Sequence, residues 1–274
     1  MALDHCQALL FVPVGAERHL ASAIRHQPDA IILDLEDSIA PGAKHAARQR
    51  IKQDIELVRS AGIECVVRVN APLRQMIADF DSVDLAHVAA FLLPKVESER
   101  QIENAAELTE GKAKLVALIE TPLGVRNVDR IASVGNLAGL MLGSEDLSAS
   151  LGVDPNAGVL VHVAAQIGVN AAAFGLIAIG FPGSLANFKD LDLYRSQITQ
   201  GRNLGMNAVA AIHPAQLPVI RDCLKSSEAD VNWAEKVLAA ASSMQASGTG
   251  VIAIDGQMID APVIRRAERI LKFA

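Results

Sequence analysis

The chain has 274 residues, 51% apolar and 20% charged, which is ample for a packed core and too apolar for a disordered polymer. Its 25 basic and 31 acidic residues give a net charge of −6, and aromatics reach only 3%. That balance excludes a basic phosphate-backbone binder and a stacking platform for single-stranded nucleic acid. Cys6, Cys65 and Cys223 stand far apart and form neither a disulfide framework nor a CxxC metal pair.

In chain order, the N-terminal MALDHCQALLFVP lacks a basic leader region and is not expected to be a signal peptide, so a cytoplasmic protein is expected. Short apolar runs bounded by turn or charged residues then recur at 9–12, 30–33, 65–69, 90–93, 115–119, 139–142, 176–179 and 208–212. Such runs predict parallel strands buried on both faces. Helical spacing separates them, as in Ala47, Ile51, Ile55 and Val58, or Ile102, Ala105 and Ala106. The apolar stretch 158–181 carries His162, Gln166 and Asn170 as one polar stripe, and it predicts a helix and a strand rather than a membrane span. Eight strand–helix units with no linker predict an α/β fold, a (β/α)8 TIM barrel over residues 1–228. Residues 229–274 read as a C-terminal helical extension or lid. It is expected to contain a break at 247–250, a short strand at 251–254, and a final helix opened by Asp260-Ala261-Pro262.

A barrel of this kind works at the C-terminal ends of its strands. Those ends carry Asp34-Leu35-Glu36-Asp37, Arg68 with Asn70, Pro94-Lys95, Glu120, Gly143-Ser144-Glu145-Asp146 and His213. Acids converging on one mouth repel unless a cation or a proton relieves them, and oxygen ligands without a His or Cys cluster suit a hard ion, Mg²⁺. Arg68 amid those acids offers a planar fork for a substrate carboxylate. Glu36, Asp37 and Glu145 are candidates for substrate contacts, although an acid after a strand can equally cap the next helix. Lys95 beside so many acids should stay charged rather than act as a nucleophile, and His213 before Pro214 reads as a structural histidine.

The strings LLFVP, AIILDLEDSIAP, VVRVNAP, LLPKVES, ALIETPLGVRN, MLGSEDLSASLG, AIHPAQL and DGQMIDAP resemble the citrate lyase β-subunit-like proteins. These belong to the HpcH/HpaI aldolase superfamily, with the malyl-CoA and citramalyl-CoA lyases. The resemblance runs in order from Leu9 to Ile270. It implies a Mg²⁺-dependent lyase or Claisen-type enzyme that cleaves or forms a 2-hydroxyacyl thioester, giving a 2-oxo acid and an acyl thioester such as acyl-CoA. It further implies Glu120 and Asp146 as metal ligands, Arg68 as the carboxylate clamp, and Glu36 and Asp37 as holders of metal-bound water. Asp260 is implied as the catalytic acid or base that reaches an adjacent subunit of a homotrimer or hexamer.

The chain departs from the family pattern at three places: Gln7-Ala8 for Arg-Ser, Gly180 for Asp, and Ala208-Val209 for Gly-Lys. Two of these remove charge from the mouth where a carrier thioester would approach. They favour a carrier-protein or free-acid substrate as the alternative to CoA. A catalytically reduced paralogue that binds metal and oxo acid is the alternative of a different class. Lys44 and Arg48 are the basic residues expected to meet carrier phosphates if CoA is used.

Overall fold

The computed structural model describes residues 3–186, 189–247, 252–254 and 257–272. It divides into two compact units, Met1–Cys223 and Leu224–Ala274.

In the first unit β1 (Ala8–Pro13), β2 (Ala30–Asp34), β3 (Glu64–Arg68) and β4 (Ala90–Leu93) are followed by β5 (Lys114–Ile119), β6 (Leu137–Leu142), β7 (Ile177–Ile179) and β8 (Val209–Ala211). Neighbours pair in parallel in the order β7-β6-β5-β4-β3-β2-β1-β8. A parallel bridge between Ile179 and Ala208 closes the ring, and the Gly180 N–H donates to the Ala208 carbonyl at 2.8 Å. The eight strands expected from the apolar runs are all present, within two residues at either end. Apart from charged residues at their ends (Asp34, Glu64, Arg68 and Lys114) they are apolar, because barrel strands bury both faces, and all five residues of β2 are buried. Inward residues Leu9, Ile32, Val66, Leu92, Leu118, Met141, Ile179 and Ala210 fill the barrel beneath the mouth. The next inward positions along several of these strands, Phe11, Asp34, Arg68, Glu120 and Ile212, line the cavity at the mouth.

Helices cover the outside. α1 (Glu17–His26), α2 (Lys44–Ser60), α3 (Leu73–Asp81) and α4 (Glu99–Leu108) follow the first four strands. α5 (Pro122–Arg126) and α6 (Val128–Ala132) follow β5, and α7 (Ser144–Leu151) and α8 (Gly158–Phe174) follow β6. α9 (Leu191–Asn203) and α10 (Leu217–Leu224) follow β7 and β8. The predicted inner stripe of α2 is buried at Ala47, Ile51, Ile55 and Val58, as are Ile102 and Ala105 of α4. The apolar stretch after residue 158 becomes α8 and β7, and among the described residues no helix is long and apolar enough to cross a membrane. Cys6 and Cys65 are buried as small apolar groups, and burial pushes both thiols up to about 12.

The second unit contains α11 (Glu228–Ser247), a short antiparallel pair β9 (Ile252–Ile254) and β10 (Gln257–Ile259), and α12 (Ala261–Lys272). Ala234, Val237, Ile259 and Ala267 form its core. The strand expected at 251–254 is present as β9. Val251 and the glycines at 248 and 250 of the expected break lie outside the described residues.

Candidate active site

Parallel register places Arg68, the last residue of β3, beside Asp34, the last residue of β2. Arg68 Nε and Nη2 donate to the two Asp34 oxygens at 2.6 and 2.7 Å. Asp34 also accepts the backbone N–H groups of Glu36 at 2.9 Å and Ser38 at 3.1 Å, which shapes the turn after β2. Burial works to raise the Asp34 carboxyl, but the hydrogen bond and charge of Arg68 outweigh it and hold the group below its ordinary value. Arg68 Nη1 lies 3.2 Å from Glu36 Oε2, and the guanidinium stacks over Phe11 with its centre 5.0 Å from the ring centroid.

Behind this pair lies a second polar layer. Lys44 Nζ donates to the carbonyls of Leu35 at 2.8 Å and Glu36 at 2.5 Å and to Asn70 Oδ1 at 2.7 Å. Asn70 donates its backbone N–H and its side-chain amide to Asp79 Oδ2, each at 2.7 Å. Arg48 Nε completes the chain by donating to Asp79 Oδ1 at 2.6 Å. Lys44 and Arg48, the residues expected to meet carrier phosphates if CoA is used, thus each have internal partners. Three site-supporting roles were not legible beforehand: Asp34 as the partner of Arg68, and Asn70 and Asp79 as braces of the turn. Asp34 had a signal, its place at a strand end. Asp79 sits in the last turn of α3 and had none.

The turn after β4 links the acids on the opposite wall. Lys95 has a left-handed backbone, φ 53°, uncommon for a residue with a side chain. Its N–H donates to Glu120 Oε1 and its Nζ to Glu36 Oε1, both at 2.8 Å. Burial raises the Glu36 carboxyl above its ordinary value, against the pull of Lys95 and Arg68. Glu120 is pushed up to about 8, first by burial and then by the nearby charge of Asp146. Among the described residues neither Glu120 nor Asp146 makes an ion pair. Gly143 leaves Glu120 its room: a Cβ there would lie 2.5 Å from Glu120 Cβ and 2.7 Å from Oε2.

These walls enclose a cavity of about 390 Å³ at the C-terminal end of the strands. Arg68, Asp37, Glu120, Glu145 and Asp146 line it together, with Asp34. Glu36 is buried and turned to Lys95 and Arg68 instead of lining the cavity. Glu145 also tethers the chain after β7, accepting from Ser184 Oγ at 2.5 Å and from the Ala186 N–H at 3.3 Å. His213 fills the structural role expected of it, its Nδ1 accepting the Ala215 N–H at 3.1 Å. Asp260 belongs to the second unit, where its Oδ1 accepts the Val263 N–H at 3.3 Å and caps α12.

Among the described residues no three His, Cys, Asp or Glu side chains gather closely enough to chelate a metal by themselves. An ion held by Glu120 and Asp146 would therefore complete its shell with water or substrate oxygens, the habit of Mg²⁺. Five carboxylates and one guanidinium line the cavity; Arg68 pairs with Asp34 and Lys95 lies 4.0 Å from Asp37, while among the described residues Glu120, Glu145 and Asp146 make no ion pair.

Fold and site define a barrel enzyme with an acid-rich mouth and a single arginine. The chain belongs to the HpcH/HpaI aldolase/citrate lyase family, matched over residues 7–214. It is 31% identical to citrate lyase subunit beta of Haemophilus influenzae, over 98% of this chain and 96% of that protein. It is 28% identical to the mitochondrial citramalyl-CoA lyase of Rattus norvegicus, over 98% and 86%. Among solved structures, CitE of Mycobacterium tuberculosis in complex with magnesium, acetoacetate and coenzyme A is similar with a TM-score of 0.76. The identity there is 31%, covering 99% of this chain and 98% of that one.

Proposed function

We propose that the protein is a Mg²⁺-dependent carbon–carbon lyase that cleaves or forms a 2-hydroxyacyl thioester, with a 2-oxo acid and an acyl thioester on the other side of the equilibrium. The observation that carries this reading is the pair Glu120 and Asp146 facing the same cavity as Arg68, where burial and then the charge of Asp146 push the Glu120 carboxyl up to about 8. Oxygen donors without His or Cys fit Mg²⁺, and relatives named citrate lyase and citramalyl-CoA lyase support the reaction class. When bound, Mg²⁺ supplies Lewis acidity at the oxygens of the 2-hydroxy acid unit.

The chain's own groups do the rest. Arg68, aimed by Asp34, grips the carboxylate of the oxo-acid half and orients it. In the cleavage direction the hydroxyl gives its proton to solvent, the oxygen's electron pair forms the carbonyl of the 2-oxo acid as the carbon–carbon bond breaks, and the electron pair of that bond passes to the thioester enolate. Asp260 then delivers a proton to the enolate carbon, and it removes that proton in the synthetic direction. Residues 229–274 act as a lid that brings Asp260 to the site of a neighbouring subunit in a cytoplasmic homotrimer or hexamer. Glu36, Asp37 and Glu145 position substrate and water around this centre.

One observation favours a carrier other than free CoA. A second cavity of about 500 Å³ shares Phe11, Pro13 and Ile212 with the first. Its described lining holds His19, His26 and His213 but no Lys or Arg, and Lys44 and Arg48 are committed elsewhere. CoA phosphates would meet few fixed cations there. Cleavage assays with Mg²⁺ and a panel of 2-hydroxyacyl groups, each on CoA and on an acyl-carrier protein, test both readings. Turnover of the carrier-protein series well above the CoA series is expected. Absence of turnover with any thioester overturns the lyase reading in favour of a metal- and oxo-acid-binding paralogue.

A further inference from the structure

Among the helices around the barrel, α8 carries no charge. From residue 155 to residue 188 the chain has no Asp, Glu, Lys or Arg, a run of 34 residues in a protein of which 20% are charged. α2 has the same length, 17 residues, and carries seven charged side chains, as expected of a helix with one side in water. One face of α8 buries Leu160, Val163, Ile167 and Ala171. Its opposite face exposes Val159, Val169, Ala172 and Ala173, with Val169 at 68%. A helix that is apolar on its outer side as well as its inner one marks a surface meant to be covered.

The chemistry of that face selects its cover. A charged surface laid on it would lose hydration and gain no counter-charge, so the occupant is itself uncharged. His162, Gln166 and Asn170 cross the face as a polar stripe, and a carboxamide both donates and accepts, so the stripe complements a copy of itself. Gln166 Oε1 is shielded from water yet accepts no hydrogen bond among the described residues. A side-chain rotation toward an outside donor would relieve that cost. The small side chains Ala172 and Ala173 beside Val169 let a second helix approach closely.

We propose that α8 is the contact through which two copies of this chain pair about a two-fold axis, the outer face of one helix against the same face of the other. A helix of 17 residues is about 25 Å long. The contact is therefore smaller than the roughly 800 Å² per partner of a standard interface, and pairing depends on concentration. It is independent of the lyase reading and of Asp260, and it doubles whatever assembly residues 229–274 form.

Sedimentation velocity of the full chain from about 1 μM to about 1 mM tests this. At the top of the series the wild type should have twice the mass of Val169→Glu or Val169→Lys, in which like charges would meet across the contact. Val169 is mostly exposed, so both variants should fold and should melt as the dilute wild type does. An equimolar mixture of the two variants should recover the doubled mass, because opposite charges then face each other. Leu57→Glu, at another exposed apolar position on α2, should behave as the wild type. Equal masses of the wild type and the folded Val169 variants overturn the proposal, as does loss of the doubling in Leu57→Glu. No recovery in the mixture also overturns it, and assigns the face to a lipid surface or a different protein.

Discussion

Arg68 leaves β3 with Asp34 already in its fork, so its orientation is set before any ligand arrives. The pair is buried, with 14% and 3% side-chain exposure, and removing Asp34's charge leaves the buried Arg68 with only the 3.2 Å contact to Glu36. Asp34→Asn should therefore destabilise the protein by about 3 kcal/mol at neutral pH. The folded-state pKa of Asp34 lies below its ordinary 3.8, so its contribution is complete above 3.8 and is lost as pH falls toward the lowered value. Urea unfolding as a function of pH checks this. The variant should lose the part of the acid-side slope that wild type shows below pH 3.8.

Glu120 and Asp146 present the opposite case, two acids that make no ion pair among the described residues. Glu120→Gln and Asp146→Asn should fold at least as well as the metal-free wild type, because each removes like-charge repulsion. Both should abolish the rise in melting temperature that Mg²⁺ gives by binding the native state alone. A wild-type Mg²⁺ shift in either variant returns that residue to a purely structural role.

At the scale of elements, site geometry depends on turns whose backbone only certain residues tolerate. The β6–α7 turn brings Gly143 against Glu120, where a methyl group would meet Glu120 Cβ at 2.5 Å, far inside contact distance. Gly143→Ala should cost about 1–3 kcal/mol as an overpacking change and displace Glu120. It should weaken Mg²⁺ binding more than a substitution at an exposed turn glycine such as Gly42, which has nothing within 4 Å. Calorimetric titration of both variants with Mg²⁺ checks the difference. The departure at Gly180 has a similar basis. Its φ of 126° suits glycine, and the aspartate usual in the family would be strained on this backbone.

For the whole molecule the question is how the second unit serves the first. Asp260 caps α12, a role that asparagine fills equally well. Asp260→Asn should therefore fold and bind Mg²⁺ normally but lose turnover, since an amide cannot exchange the proton. Co-expression with an Arg68→Ala chain should restore part of the activity through hybrid sites that pair an intact mouth with an intact Asp260. No recovery in verified mixed oligomers means that Asp260 acts within its own subunit. Full activity of Asp260→Asn alone leaves only the cap.

The sequence by itself determined the barrel and the strand ends that carry its chemistry, because buried parallel strands must be apolar and charge can appear only where they stop. Glu120, Asp146 and Arg68 stood out for that reason, and Asp260 stood out through its motif. Only the tertiary structure decided which groups are available. The β2–β3 register commits one edge of Arg68 to Asp34. An acid in the last turn of α3, Asp79, holds Asn70 from nine residues away, and Lys44 and Arg48 turn inward from α2. Glu36 likewise faces Lys95 rather than the cavity. These outcomes depend on partners distant in the chain, and the balance between desolvation and pairing that selects them exists only once the barrel has closed.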